Sequence, residues 1–323
     1  MDDHLNLLHH VEATVPAARG VHALFRQVRP DDDPTLWHST LNNDGTPFQI
    51  AIADTGDGHR SVRLIVDPFR LGRDEVDRQG SNLAAFAQLQ SRCSARAADR
   101  CRRFMAMLAP SFEQVSERRS GDIWLAADPS RAGVAIYVTA RSRSPDEQAE
   151  RLIAEANIDQ HRAAVTAIHA VCTVQAYSMQ GSRTGNLSVN IYWKPPVGMQ
   201  SIPREIGFDL PLWRFGSHEG ALSRASAGAL TFCSTFAVTG DGRGSKLDLC
   251  NHCLGLDAQG CLATLDQFCA ISSGFADNVA HAAAAQTAEI AFLGVRMRAG
   301  ENAPYVYLKP VRHGATASAE YWP

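Results

Sequence analysis

Stretches that alternate apolar and polar residues at every second position recur along this chain in pairs, each pair joined by a run rich in Gly, Asp, Asn or Ser. Period-two alternation marks a strand with two unlike faces, and residues that tolerate positive φ suit a tight turn between antiparallel strands. The pattern predicts five hairpins. The first joins Phe48 to Ala53 with Val62 to Phe69 through Asp54-Thr55-Gly56-Asp57-Gly58. The second joins Ile123 to Ala127 with Val134 to Arg141, and the third Thr173 to Met179 with Leu187 to Lys194. The fourth joins Leu230 to Thr239 with Lys246 to Cys253 through Gly240-Asp241-Gly242-Arg243-Gly244, and the fifth Ala288 to Arg298 with Tyr305 to Lys309.

Each hairpin follows a stretch with helical rather than strand periodicity: Leu5 to Gln27, Leu83 to Leu108, Asp146 to Val171, a weaker one near His218 to Ala227, and Ala258 to Gln286. Ser144-Pro145-Asp146-Glu147 opens the third, because Pro fits a first helical turn and acids suit a helix N-terminus. The turns recur at roughly 50 to 75 residues, an internal structural repeat. Five consecutive hairpins give ten antiparallel strands, and closure into a barrel is the simplest way to remove their edges. The expected class is therefore α+β, with helices outside a ten-stranded barrel and a lumen wide enough for a ligand.

If the large aliphatics face the helices, the other face of each strand lines the lumen. Ile50, Leu64, Ile136, Val189 and Leu247 then point outward. The inward set includes Gln49, Arg63, Tyr137, Thr139, Arg141, Gln175, Tyr177, Asn190, Tyr192, Lys194, Lys246, Asp248, Cys250, His252, Tyr305, Tyr307 and Lys309. Arg296 and Arg298 share a face with Ile290 and Phe292, so strict alternation leaves their direction open. Five of the six tyrosines fall in the inward register, and Tyr321 lies in the tail. Basic side chains suit a phosphate-bearing ligand, and Tyr both hydrogen-bonds phosphate oxygens and offers a π-face to a cation. An anionic leaving group beside a developing carbocation needs both.

Composition changes this picture little. The chain has 323 residues, 45% apolar and 20% charged, with net charge −3, an ordinary globular mixture that excludes a disordered or collagenous chain. The acidic excess argues against a general nucleic-acid binder. No run reaches the roughly 18 to 20 apolar residues of a membrane span, and the start lacks the basic region of a signal peptide. These features point to the cytoplasm, where the eight cysteines would be reduced thiols.

With the layout in view, the sequence resembles the aromatic prenyltransferases of the ABBA family, ten-stranded barrels built from ααββ units. The local match is Asp44-Gly45-Thr46-Pro47-Phe48-Gln49 followed by Val62-Arg63-Leu64-Ile65-Val66-Asp67-Pro68. It is similar to the opening hairpin of the indole branch, typified by dimethylallyltryptophan synthases; hairpin order and length also resemble the cyanobactin-type peptide prenyltransferases. The resemblance implies a single PT-barrel domain over residues 1–323 with a flexible tail at 312–323. It implies transfer of a dimethylallyl or longer prenyl group from a prenyl diphosphate to an electron-rich aromatic acceptor, an indole or a peptide side chain, as in natural-product biosynthesis. Arg63 is then the diphosphate ligand, and Tyr137, Tyr192, Tyr305 and Tyr307 form a shield around the allylic cation. Lys246 and Arg296 are further diphosphate candidates. No cofactor is required, although the use of Mg²⁺ with the diphosphate varies within the family.

Two departures bear on mechanism. The family's acidic partner of the indole N–H appears as Gln49, which can accept that hydrogen bond but cannot hold developing positive charge as a carboxylate would. The lysines that commonly precede the shield tyrosines by two positions appear as Ala135 and Asn190, which shifts diphosphate binding toward Lys194, Lys246 or Arg298. The alternative is a noncatalytic barrel that binds a hydrophobic or phosphorylated ligand. A zinc site is a weaker rival: Cys250-Asn251-His252-Cys253 has one C-x-x-C pair rather than two, and the strand reading places its cysteines on opposite faces. Asp31-Asp32-Asp33-Pro34 reads as a turn rather than a metal motif, and the P-loop and GxGxxG fingerprints are absent.

Overall fold

The structure, a computed structural model, describes residues 3–28, 39, 41–42, 46–54, 60–68, 75–108, 123–129, 133–139, 145–195, 230–239, 242–284, 288–298 and 301–311. Ten strands run in chain order as β1 (Phe48–Asp54), β2 (Arg60–Val66), β3 (Ile123–Ala127), β4 (Gly133–Thr139), β5 (Thr173–Ser182), β6 (Leu187–Lys194), β7 (Leu230–Ala237), β8 (Arg243–Cys250), β9 (Ala288–Arg298) and β10 (Glu301–Pro310). Each pairs antiparallel with its neighbours in sequence, and β1 pairs with β10 to close the barrel. Closure leaves no unpaired edge to recruit another strand.

Alternation divides each strand between two environments. Phe48, Ile50 and Ile52 of β1, Leu64 and Val66 of β2, and Val189, Ile191 and Trp193 of β6 are buried with the helices in one large apolar layer. Burying each such side chain contributes about 1.5–3 kcal/mol. Lumen residues form a separate, smaller cluster around Ile65, Tyr137, Tyr192 and Cys233. Trp193 illustrates the outward side: its indole N–H donates to Ser234 Oγ at 2.9 Å, and its ring meets His169 edge-on.

The helical stretches predicted as single elements are pairs. The first comprises Asp3–Thr14 and Val21–Val28, parted by a 3-10 turn at Pro16–Ala18. The second comprises Glu75–Leu89 and Ala95–Leu108, and the third Pro145–Ala156 and Arg162–His169. The fifth comprises Ala258–Asp266 and Ser273–Ala284. Pro16 supplies no N–H for a continuing helix, and Asn157, with φ of 55°, turns the chain after Ala156. The stretch near 218–227, the Asp-rich segment at 31–34, Arg141 and the tail at 312–323 lie outside the described residues.

Two β-bulges revise the inward set. In β5, Val174 opposes Trp193 while Ala176 opposes Tyr192, so Gln175 is the extra residue. Gln175 and Ala176 both border the lumen, and Tyr177 is turned outward, fully buried against the helices. The expectation of an inward Tyr177 is therefore wrong, because one unpaired residue shifts the parity of everything after it. In β9 the extra residue is Ala291: Ile290 opposes Leu308, whereas Phe292 opposes Tyr307. Ile290 thus faces the helices, and Phe292, Gly294 and Arg296 face the lumen, which settles the direction that alternation left open for Arg296. A further correction concerns β8, which ends at Cys250; Asn251–Leu254 forms a short helix. His252 is therefore not on a lumen-facing strand position, and Cys253 is not on the opposite face of a strand but on the same helical turn, close enough to Cys250 to hydrogen-bond.

Candidate functional site

Two cavities meet inside the barrel. The wider, 520 Å³, is bordered by Arg63 of β2, Lys246 of β8 and Arg296 of β9, with Asp128 the carboxylate among its described lining residues; Arg243, at its rim, is on the outward face of β8 and donates from Nε to His161 Nδ1 at 3.3 Å. Lys246 and Arg296 are direct cross-strand neighbours, so two cations from adjacent strands project from one patch of wall. The narrower, 120 Å³, is bordered by Gln49, Ile65, Trp124, Thr139, Gln175 and Phe292, with Asp248 the carboxylate among its described lining residues. Tyr137, Tyr192, Lys246 and Tyr307 border both cavities. A cationic chamber therefore adjoins a mainly apolar, aromatic one across a partition of three tyrosines and a lysine.

The partition already holds a cation. Lys246 Nζ lies 4.7 Å from the ring centre of Tyr192, 5.5 Å from that of Tyr305 and 5.7 Å from that of Tyr307, within the range of cation–π attraction. It donates to Tyr307 Oη at 3.1 Å and pairs with Asp248 Oδ2 at 3.0 Å. Burial opposes its charge, but Asp248 and the surrounding tyrosines hold its pKa well above the ordinary lysine value. Burial also raises the tyrosines: Tyr192 and Tyr305 lie well above the ordinary phenol value, and Tyr307 is pushed up to about 12. All three stay neutral at physiological pH, as hydroxyl donors with intact π-faces. Arg63 hydrogen-bonds Tyr137; burial works against its charge, and the fields of Tyr137, Tyr307 and Tyr192 keep its pKa above the ordinary arginine value.

Tyr305 depends on a missing side chain. Its hydroxyl lies 2.8 Å from the Leu247 carbonyl oxygen and 2.6 Å from Asp248 Oδ1, two acceptors that share its single proton. It reaches them across Gly294, its cross-strand neighbour on β9. A Cβ on Gly294 would stand 2.2 Å from the Leu247 carbonyl oxygen and 2.4 Å from Tyr305 Oη.

Gln49 is oriented through a chain of obligatory donors. Asn42 Nδ2 donates to the backbone carbonyls of Thr46 and Phe48, at 2.7 and 3.2 Å. A carbonyl cannot donate, so Asn42 must present Oδ1 to Gln49, whose Nε2 donates to it at 2.5 Å and reaches toward the Leu41 carbonyl at 3.4 Å. The amide assignment at Gln49 thus follows from fixed backbone acceptors. Its Oε1, an acceptor, is the remaining polar atom of a side chain that borders the narrow cavity.

Of the residues singled out from the sequence, Gln49, Arg63, Tyr137, Asn190, Tyr192, Lys246, Arg296, Tyr305 and Tyr307 all border one or both cavities. Lys194, at the end of β6, is not among the lining residues of either. The Arg298 side chain lies outside what is described. Asn190, in a place where the resemblance expects lysine, is tied down: its Nδ2 donates to Ser178 Oγ and its Oδ1 accepts from Thr235 Oγ1, both at 2.7 Å. Sequence reading missed Trp124, Phe292, Asn42 and Gly294. Alternation alone would have found Trp124, whereas Phe292 was hidden by the bulge and Asn42 lies outside any strand. Among the described residues no group of three or more His, Cys, Asp or Glu side chains is placed to hold a metal ion, and no helix is long and apolar enough to cross a membrane.

No protein-family model and no curated protein sequence matches the chain. Solved structures do match its fold. One is a 6-dimethylallyltryptophan synthase from Micromonospora olivasterospora in complex with DMASPP and Trp, 16% identical over 95% of this chain and 96% of that one, TM-score 0.72. A second is a 5-dimethylallyltryptophan synthase from Streptomyces coelicolor, 14% identical over 98% and 96% of the two chains, TM-score 0.68. A third is AnaPT from Neosartorya fischeri, 12% identical over 97% and 93%, TM-score 0.63. The chain thus has the helix-clad ten-stranded barrel of these proteins along nearly its whole length.

Proposed function

We propose that this chain is an aromatic prenyltransferase that moves a dimethylallyl or longer prenyl group from its diphosphate to an electron-rich ring, an indole or a peptide side chain. The observation that carries the reading is the partition itself: tyrosine faces converge on a buried cation between a chamber of basic side chains and an aromatic one. In this reading Arg63, Lys246 and Arg296 bind the diphosphate by charge-assisted hydrogen bonds. The C–O bond breaks with its electron pair leaving on the diphosphate. Tyr137, Tyr192, Tyr305 and Tyr307 surround the resulting allylic cation and exclude water. The acceptor lies in the narrow cavity, where Gln49 Oε1 accepts from its N–H and the ring π-electrons attack the cation. Arg63, Lys246 and Arg296 supply the countercharge in the wide cavity, so in this reading no cofactor is required.

The test is incubation of the purified chain with dimethylallyl and geranyl diphosphates and a panel of tryptophan, tyrosine and peptide acceptors. Diphosphate release together with a product heavier by one prenyl group is expected. Neither product nor diphosphate across the panel would refute transfer, and tight binding of a thiolodiphosphate analogue without turnover would favour the noncatalytic barrel instead. The fixed Asn190 in place of a lysine is the observation behind that second reading.

A further inference from the structure

Attack by a ring carbon leaves that carbon tetrahedral and bearing a hydrogen; its C–H bond must break, return its electron pair to the ring and pass the proton to a base. Gln49 cannot take it, since an amide is not a base at neutral pH. Among the described residues bordering the acceptor cavity, the carboxylate is Asp248. It stands on β8, three strands round the closed barrel from Gln49 on β1, and its two oxygens are separately held: Oδ1 by the Tyr305 hydroxyl at 2.6 Å and Oδ2 by Lys246 at 3.0 Å. Tyr305 in turn is fixed by the Leu247 carbonyl and by the space over Gly294. Such a carboxylate is positioned rather than adventitious, and it is only 7% exposed.

From this geometry we infer that Asp248 is the proton acceptor of the transfer reaction, so that two tasks fall to separate strands of the wall: Gln49 orients the acceptor and Asp248 restores its aromaticity. Lys246 links the steps. Bound diphosphate offers its ammonium a second anionic partner, which frees Asp248 Oδ2 for the proton. The inference rests on the proposed transfer reaction, and the experiment separates the two.

Asp248→Asn and Asp248→Glu are compared with wild type using dimethylallyl diphosphate and L-tryptophan, unlabelled and fully deuterated on the indole ring carbons. General-base catalysis typically contributes about 10²–10⁴-fold, so Asp248→Asn should lose at least about a hundredfold in kcat, beyond any change in the diphosphate KM that unpairing Lys246 produces. Asp248→Glu should restore part of the loss. Removing the base makes C–H cleavage limiting, so Asp248→Asn should show a primary isotope effect larger than that of wild type. A residue that merely balances Lys246 would instead change the diphosphate KM alone, with kcat and the isotope effect as in wild type. That result, or a wild-type kcat in Asp248→Asn, would overturn the inference while leaving transfer intact. A wild type that neither forms product nor releases diphosphate would overturn both.

Discussion

Replacing Gly294 by alanine adds one methyl group to the barrel's inner wall at the place where the site can least accept it. The new Cβ would lie 2.2 Å from the Leu247 carbonyl oxygen, 2.4 Å from Tyr305 Oη and 2.5 Å from Tyr305 Cζ. Non-bonded carbon contacts are comfortable only at about 3.5–4.0 Å. Leu247 cannot retreat without disturbing the β8–β9 ladder, in which it opposes Val295. Tyr305 must therefore swing away and give up its two acceptors. Overpacking costs about 1–3 kcal/mol, and stranding a buried hydroxyl costs about 1–3 kcal/mol, for a combined loss on the order of 2–6 kcal/mol. Gly244→Ala is the internal control: it also borders the wide cavity, but its Cβ would meet nothing closer than Thr235 Cβ at 3.7 Å. Urea unfolding of wild type and both variants, monitored by tryptophan fluorescence, measures the difference. If Gly294→Ala loses no more stability than Gly244→Ala, Tyr305 is not held over Gly294 as described, and the anchoring of Asp248 fails with it.

Arg63→Ala should weaken binding of dimethylallyl thiolodiphosphate by about 1.5–3 kcal/mol, roughly ten- to hundredfold in Kd by calorimetry; unchanged affinity would remove Arg63 from the diphosphate site. Gln49→Leu should raise the KM for tryptophan while leaving thiolodiphosphate affinity near wild type, and Asn42→Ala should do so to a lesser degree. Loss of diphosphate affinity in either would contradict the division of the lumen into two chambers. Burial pushes the Cys101 and Cys233 thiols from 9.0 up to about 12 and the Tyr307 phenol from 10.0 up to about 12. The unfolded chain releases these protons first, so the contribution of these three groups is fully present below about pH 9 and stability should fall as pH rises from there toward 12; alkaline stability flat to pH 11 would contradict it. In the native protein at pH 8, iodoacetamide should modify the exposed Cys253 before Cys101 or Cys233, as peptide mass spectrometry would show.

What the sequence determined is what short-range geometry determines. A strand's period of two is a property of its own backbone, so hairpin number, hairpin order and most inward positions can be read from Phe48–Asp54 or Leu187–Lys194 in isolation. Tyr137, Tyr192, Tyr305, Tyr307, Arg63 and Gln49 were legible for that reason. Tertiary structure decided whatever depends on a partner. The unpaired Gln175 and Ala291 look like ordinary strand residues until the facing strand shows a one-residue surplus, and that surplus turns Tyr177 outward and Phe292 and Arg296 inward. The meeting of Gln49 with Tyr307, Lys246 and Asp248 is likewise invisible along the chain, because it requires β1 to pair with β10 and the ring to close. Local alternation chooses a face for each side chain; only the closed barrel brings those faces round to one another, and there an aspartate that alternation merely points inward meets the lysine and tyrosine that hold it.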